Sequence, residues 1–418
     1  MQTRFMLLTV VGLALTGCEL IIEPKETGQD PTDTGAEDSV SLPDDTDADA
    51  DTDTDTDTDT DTDTDTDTDT DADTDADTGG PVASGLVMLA DPCGGAGTPY
   101  AVTFVSEDEG WVGCGNGMGL WQTSDAGDTF DQGHPSLDLY VFEIMAESNG
   151  DLLVCGHDYD GDDTLLYRQD ATGWQSLLRY GNNGTDSDSV YMSNCGTVAS
   201  AGDGTLVVAS NTAGDITWST DDGASWHKEE RYWEDANLDP EGYSFYYVMQ
   251  LVAANGGYYG AGSQITEPPT FFAPSAHPQG AWYNFAATTI DGGIEGEVWA
   301  LATPDDGATW LAGGRDQQAS SVASGFVYRS VDAGATWTSI PLPADTDIVH
   351  DIAFDGDLGV AVGHQYPTSL GGFALLTTDG GETWTALDEG VPLLQSVEVR
   401  DGTFWLAGDA FLARGTFE

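Results

Sequence analysis

The side chains able to do chemistry in this chain are overwhelmingly carboxylates: 418 residues hold 74 Asp and Glu against 10 Lys and Arg and 6 His, a formal net charge of −64. Acids in such number serve calcium chelation, acid–base hydrolysis of a glycosidic bond, or the locking of tight turns. The densest acids fail the first test. From Asp47 to Thr78 Asp alternates with Thr or Ala, and although DxDxD opens an EF-hand loop, that loop also needs Gly at its sixth position and a bidentate Glu at its twelfth. Neither is present, so no metal is expected. Hydrolysis needs two carboxylates facing each other in a pocket, about 5 Å or roughly 6.5–9.5 Å apart. Turn locking fits a phrase that recurs: TSDAGDTF (Thr123 to Phe130), STDDGASW (Ser219 to Trp226), SVDAGATW (Ser330 to Trp337) and TTDGGETW (Thr377 to Trp384), with a reduced version, RQDATGW, from Arg168 to Trp174. In it Asp125, Asp221, Asp332 and Asp379 can accept hydrogen bonds from their own turns, while Gly127, Gly223, Gly334 and Gly381 permit positive φ. The aromatic that ends each phrase packs on a sheet. These residues are read as structural, not catalytic.

Other chemistries lack their residues. Nucleic acid needs clustered Lys and Arg, which are missing, and there is no G-x-S-x-G, H-E-x-x-H or phosphate loop. No C-x-x-C pair appears, which argues against redox catalysis and cysteine zinc sites. No cofactor is expected.

The elements that hold these phrases are strands. Beyond Gly80 a second phrase, a tight turn leading into an apolar strand that ends in small residues, occurs seven times: at 107–115, 148–156, 202–210, 254–262, 305–314, 354–363 and 400–408, about 41 to 54 residues apart. A repeat of that period with several short strands per unit indicates a propeller or solenoid. Thr303 to Trp310, TPDDGATW, matches the first phrase in spacing but runs into WLAGG, and so occupies the place of the second. Each unit then has four strands, A to D. The last has only three, and SGLVMLA (Ser84 to Ala90) is free to supply the fourth. The expected fold is all-β: a seven-bladed β-propeller over residues 84–418, with an N-terminal strand closing the last blade.

The first phrase resembles the Asp-box, or BNR repeat, of sialidases, sortilin-type receptors, xyloglucanases and photosystem II assembly factor propellers, and the chain is most similar to the last group. A sialidase would hold its substrate carboxylate with three arginines beside a Tyr–Glu pair and an acid Asp. Seven Arg lie beyond residue 80. Arg168 and Arg329 precede boxes, Arg400 sits in a turn and Arg414 ends a strand, leaving Arg179, Arg231 and Arg315 to reach a binding face; the early Arg-Ile-Pro motif is absent. Xyloglucanases close two propellers around a cleft, and this chain has one. The expectation is therefore a non-catalytic module, likened to propellers that assemble or bind. The alternative is a glycoside hydrolase of sialidase-like type.

In this arrangement A–B and C–D turns share one face, and the boxes occupy C–D turns. Binding is expected on the other face, at the loops 227–244, 263–280 and 315–325 of blades 3 to 5. Arg231, Tyr232, Trp233, Phe271, Phe272 and Arg315 are the candidate contacts, for a protein or polysaccharide partner of a monomer; the alternative is that the aromatics only pack their own loops. His227, His277 and His364 are placed on loops of the same face. Adjacent placement in the propeller favours disulfides Cys93–Cys114 and Cys155–Cys195, with buried free thiols as the alternative.

Residues 1–18 have a short basic start and an apolar run, Phe5 to Leu15, too short to span a bilayer. Leu15-Thr16-Gly17-Cys18 resembles the bacterial lipobox, which implies lipidation of Cys18 and anchoring by acyl chains alone. Glu19 favours the outer membrane of the cell envelope. Residues 19–83 form a disordered acidic tether; 25 acids and one base, Lys25, lie between 19 and 80. Such a coil spans about 45 Å on average, and self-repulsion lengthens it.

Overall fold

Short apolar runs bounded by Gly-containing turns leave the chain little choice but hairpins, and these make up the described residues. The computed structural model describes residues 85–417, except 95–96, 116, 137, 159–162, 181–193, 212–215, 229–245, 265–269, 275–281, 285–295, 317–323, 367–370 and 388–389. The signal segment, the tether and Arg231, Tyr232, Trp233 and His277 lie outside the described residues. Among the described residues there is no helix, and 28 strands form seven four-stranded antiparallel sheets.

β1 (Val87–Met88) precedes the first sheet, which contains β2 (Pro99–Phe104), β3 (Gly110–Cys114), β4 (Leu120–Thr123) and β5 (Asp131–Gln132). The second contains β6 (Leu139–Ala146), β7 (Leu152–Asp158), β8 (Thr164–Asp170) and β9 (Gly173–Arg179); the third β10 (Thr197–Ser200), β11 (Leu206–Ala209), β12 (Ile216–Ser219) and β13 (His227–Lys228). β14 (Tyr246–Ala254), β15 (Gly257–Gln264), β16 (Thr270–Pro274) and β17 (Trp282–Asn284) make the fourth; β18 (Gly296–Ala302), β19 (Trp310–Asp316), β20 (Ser324–Ser330) and β21 (Thr338–Ile340) the fifth. The sixth is β22 (Ile348–Asp355), β23 (Leu358–His364), β24 (Gly372–Thr377) and β25 (Thr385–Ala386), and β26 (Leu394–Arg400), β27 (Thr403–Gly408) and β28 (Phe411–Thr416) begin the seventh. β1 completes that last sheet, Val87 pairing with Arg414 and Met88 with Ala413.

The core is seven apolar slabs, one between each pair of neighbouring sheets. Leu153, Leu166, Val198 and Trp226 fill the one between the second and third. The ring closes where Phe104 of the first sheet stacks on Trp405 of the seventh, ring centroids 4.3 Å apart. This is a β-propeller arrangement, and it explains why second strands such as LLVC read as unbroken apolar runs: both their faces meet another sheet. Disulfides join Cys93 to Cys114 and Cys155 to Cys195.

Three placements differ from expectation. Phe271 and Phe272 are not in a loop but in β16, paired with Ala261 and Gly260. A run of aromatics ahead of Pro274 satisfies the edge that β15 would otherwise leave open, and that need outweighs the flanking prolines. His227 is likewise in a strand, β13, stacked on Trp218 at 4.3 Å, and His364 is the last residue of β23.

Candidate functional site

The two ends of the ring are built differently. At one end lie the phrase turns, between β4 and β5, β12 and β13, β20 and β21, and β24 and β25. In each the first hydroxyl accepts the glycine N–H: Thr123 from Gly127 at 2.9 Å, Ser219 from Gly223 at 2.9 Å, Ser330 from Gly334 at 2.9 Å and Thr377 from Gly381 at 3.1 Å. The Asp accepts from the backbone N–H and hydroxyl four residues on, as Asp125 does from Thr129 at 2.9 and 2.6 Å. Positive φ at Ala126 and Gly127 (61° and 88°) is what demands the glycine, whose absent Cβ also makes room for Leu89. Ala126, Asp222, Ala333 and Gly380 then donate to carbonyls of their own sheet's first hairpin turn, so both turn sets share one face. Hydrogen bonds to the ionised form, the hydroxyls of Thr129, Ser225 and Thr336 foremost, hold Asp125, Asp221 and Asp332 below the usual carboxylate range. Asp379 is lowered too, its partial burial outweighed by Thr383. Every acceptor is spent on its own turn.

Thr303 to Trp310 folds into the same hydrogen-bonded turn, Gly307 N–H to Thr303 and Thr309 N–H to Asp305, both at 2.6 Å, but between β18 and β19. The phrase encodes a turn, not its place in the sheet. In the second sheet, RQDATGW instead closes a two-residue hairpin with Asp170 capping Thr172 at 2.6 Å. Arg168 there reaches Asp222 of the next sheet's turn at 2.6 Å and Glu147 at 3.1 Å; Arg329 reaches the equivalent Gly380 carbonyl at 3.0 Å. Both are ties between sheets.

The other end opens onto the axis. Near its start, the first strand of six sheets slips register by one residue, at Tyr100, Phe142, Met249, Trp299, His350 and Gln395. A bulge turns its extra residue out of the ladder. All six, with Gly196 at the matching place of the third sheet, line one axial cavity of about 260 Å³. In four sheets the glycine that ends the second-phrase strand sits opposite the bulge: a Cβ on Gly156, Gly314, Gly363 or Gly408 would strike the carbonyl oxygen of Tyr140, Glu297, Ile348 or Leu393.

In four sheets the residue after the bulge, and in the third Thr197 after Gly196, reaches sideways. Glu143 accepts from Val198 N–H at 2.8 Å, Thr197 from Leu251 at 2.9 Å, Gln250 from Leu301 at 2.7 Å, Asp351 from Val397 at 3.0 Å and Ser396 from Val102 at 3.4 Å. Each of these bonds staples one sheet to the next. Ala101 and Ala300 hold the same position without an acceptor, and Ile352 N–H turns to its own neighbour Asp351 at 2.8 Å.

Three carboxylates therefore face the cavity: Glu143, Asp351 and Glu398. Burial pushes Glu143 up to about 7 and Asp351 up to about 6; burial, then the charges of Asp351 and Asp355 working against Arg400, pushes Glu398 up to about 7. At the rim, Arg315 bonds Glu297 at 2.6 Å and lies 5.5 Å over the Trp299 ring. His350 Nε2 and His364 Nδ1 are 2.7 Å apart; burial first, then His364 and Arg315, pushes His350 down to about 3, leaving both imidazoles neutral at pH 7.

Of the sequence candidates, Arg315 reaches this mouth. Phe271 and Phe272 lie in β16, and Arg179 bonds Ser176 at 3.2 Å on β9. The cavity residues carried no shared residue type to mark them; the terminal glycine of the second phrase was their signal. Among the described residues no group of three or more His, Cys, Asp or Glu could hold a metal ion.

Among solved structures the chain is similar to YCF48 bound to D1 peptide (TM-score 0.52, 16% identical, covering 80% of this chain and 96% of that one) and to YCF48 from Cyanidioschyzon merolae (0.53, 14%, 81% and 98%). It is similar also to a streptogramin B lyase (0.55, 10%, 81% and 98%). No protein-family model matches the chain, and no curated protein matches it. What these likenesses show is architecture: the described chain is an all-β propeller.

Proposed function

We propose that the chain is a non-catalytic binding module that holds a protein partner at the bulge-lined mouth of its axis. One observation carries this reading: six first strands abandon regular pairing at the same level, and the six different bulge residues line one cavity. A structural need would be met by any apolar filler; a cavity edged by Trp, Tyr, Phe, Met, His and Gln suits recognition. The solved YCF48 propeller bound to D1 peptide shares the fold. In this reading the turn phrases are Asp-boxes of the BNR kind, and Cys18 is a lipid anchor that places a seven-bladed propeller in the bacterial envelope, at the outer membrane, beyond an acidic spacer.

A photo-cross-linking residue at position 395, compared with one at exposed Val331 on the turn face, tests the site in the native envelope. A discrete adduct from 395 alone is expected; adducts from 331 alone overturn the assignment. Cys18→Ser is expected to move the chain from the membrane to the soluble fraction, and an unchanged distribution overturns the anchor.

A hydrolase is the second reading, and one observation favours it: Glu143 and Glu398, held near 7, could donate a proton to a leaving group. Glu143 and Asp351, however, each commit an oxygen to a neighbouring sheet. Release of nitrophenol from aryl glycosides, abolished by Glu398→Gln, would establish hydrolysis.

A further inference from the structure

We infer that the axial cavity takes a lysine or arginine side chain, so that the partner is a polypeptide presenting a basic residue to the collar of Tyr100, Phe142, Met249 and Trp299. The inference rests on the binding-module reading and adds the chemistry of what enters.

The collar and the floor ask for different parts of one ligand. At the bulge level Tyr100, Phe142, Met249 and Trp299 bring aromatic and thioether surface beside His350 and Gln395; further along their strands toward the turn face, Glu143, Asp351 and Glu398 bring carboxylates. A long aliphatic stem ending in a cation matches that order, its methylenes against the rings and its head among the carboxylates. The cations near these acids are already committed. Arg400 pairs with Glu398 at 3.5 Å from the turn-face end of β26, and Arg315 is bonded to Glu297. The rim itself displays the arrangement: the Arg315 guanidinium lies over Trp299 with a carboxylate oxygen 2.6 Å away. A cavity of about 260 Å³ admits a side chain, not a folded segment. Burial disfavours the charged form of all three acids, the charge of Asp351 adds to this at Glu143 and Glu398, and an entering cation offsets that cost. Residues 81–418 carry 49 acids and 8 bases, which steers a basic partner toward the ring.

The test titrates the full chain, at about 150 mM salt to screen the acidic tract, with acetyl-Gly-Gly-Lys-Gly-Gly-amide. The readout is the indole N–H signal of Trp299, assigned with Trp299→Phe. The lysine peptide is expected to shift this signal saturably, and the same peptide with acetyl-lysine to bind at least about tenfold more weakly, a difference of roughly 1.4 kcal/mol. Gln395→Arg, which puts a fixed cation into the collar, is expected to abolish the shift, whereas Asp332→Asn on the turn face leaves it unchanged. Equal binding of lysine and acetyl-lysine peptides overturns the cation assignment while the collar remains a binding site. Binding that survives Gln395→Arg, or no saturable shift at all, overturns the inference outright. Equal affinity for n-butylammonium would replace a polypeptide with a small amine. Adducts from position 395 that persist when a partner's basic residues are acetylated would retain the binding module and reject the basic side chain.

Discussion

The two ends of this ring use the same functional group in opposite ways. On the turn face, Asp125, Asp221, Asp332 and Asp379 stand in or near solvent, collect backbone and hydroxyl donors from their own turn, and titrate below the ordinary range. On the axis, Glu143, Asp351 and Glu398 are drawn into protein beside one another and titrate above it. Local donors make the first set indifferent to anything beyond the turn. Burial raises the second set, with the charge of Asp351 adding to it at Glu143 and Glu398. Acid count alone therefore says nothing of role; what decides is whether the donors that satisfy the charge are supplied locally or across a shared space.

That contrast can be broken at several points. The largest effect is expected on the turn face but from its aromatic, not its acid: Trp337 is buried against the fifth sheet's neighbours, and Trp337→Ala should cost about 3–5 kcal/mol in chemical denaturation. Next comes the pH profile. An acid raised in the folded state stabilises the fold when protonated, so the axial set should make the propeller more stable as pH falls from about 7 toward about 4.5, on the order of a few kcal/mol in all. The turn aspartates have the opposite sign, and stability should fall again as pH drops through and below the usual carboxylate range. Combined Glu143→Gln, Asp351→Asn and Glu398→Gln should flatten the upper limb only; a profile that still rises toward acid pH would contradict the axial assignment. Glu143→Ala strands the buried Val198 N–H and should cost about 1–3 kcal/mol, most of it recovered by Glu143→Gln. The smallest effect is Asp379→Asn, which keeps part of the turn's bonding and should lower Tm by roughly 2–4 °C in a thermal melt.

How much of this was legible in the sequence follows from how local each feature is. The turn phrases announce themselves because hydroxyl, Asp, Gly and aromatic must stand at set spacing within eight residues, and each phrase is satisfied by itself. The strand phrase was equally plain, and its repetition implied a ring whose missing strand came from Ser84 to Ala90, where β1 pairs with β28. The cavity was not plain. Tyr100, Phe142, Met249, Trp299, His350 and Gln395 share a bulge, not a residue type, and Glu143, Thr197, Gln250, Asp351 and Ser396 share only the ability to accept a hydrogen bond. Their positions are fixed by strands some fifty residues away. His350 and His364 meet because their strands pair, which no spacing rule foretells. Phe271 and Phe272 stand in a long stretch, 263–280, that reads as a loop, yet the fourth sheet takes them in as its third strand.

The way the ring is fastened shapes how it would bear mechanical load. A pull on the chain from ahead of Val87 reaches β1 first, held by two residue pairs with β28, then the Leu89 and Ala90 amides bonded to Leu412 and Gly127. These contacts unzip one after another. The covalent link from Cys93 to Cys114 comes next, so tension passes into β3 before it can lift β2. The seam between first and last sheets thus has a sacrificial edge and a hard stop behind it, and traction would loosen the clasp without tearing the first sheet away.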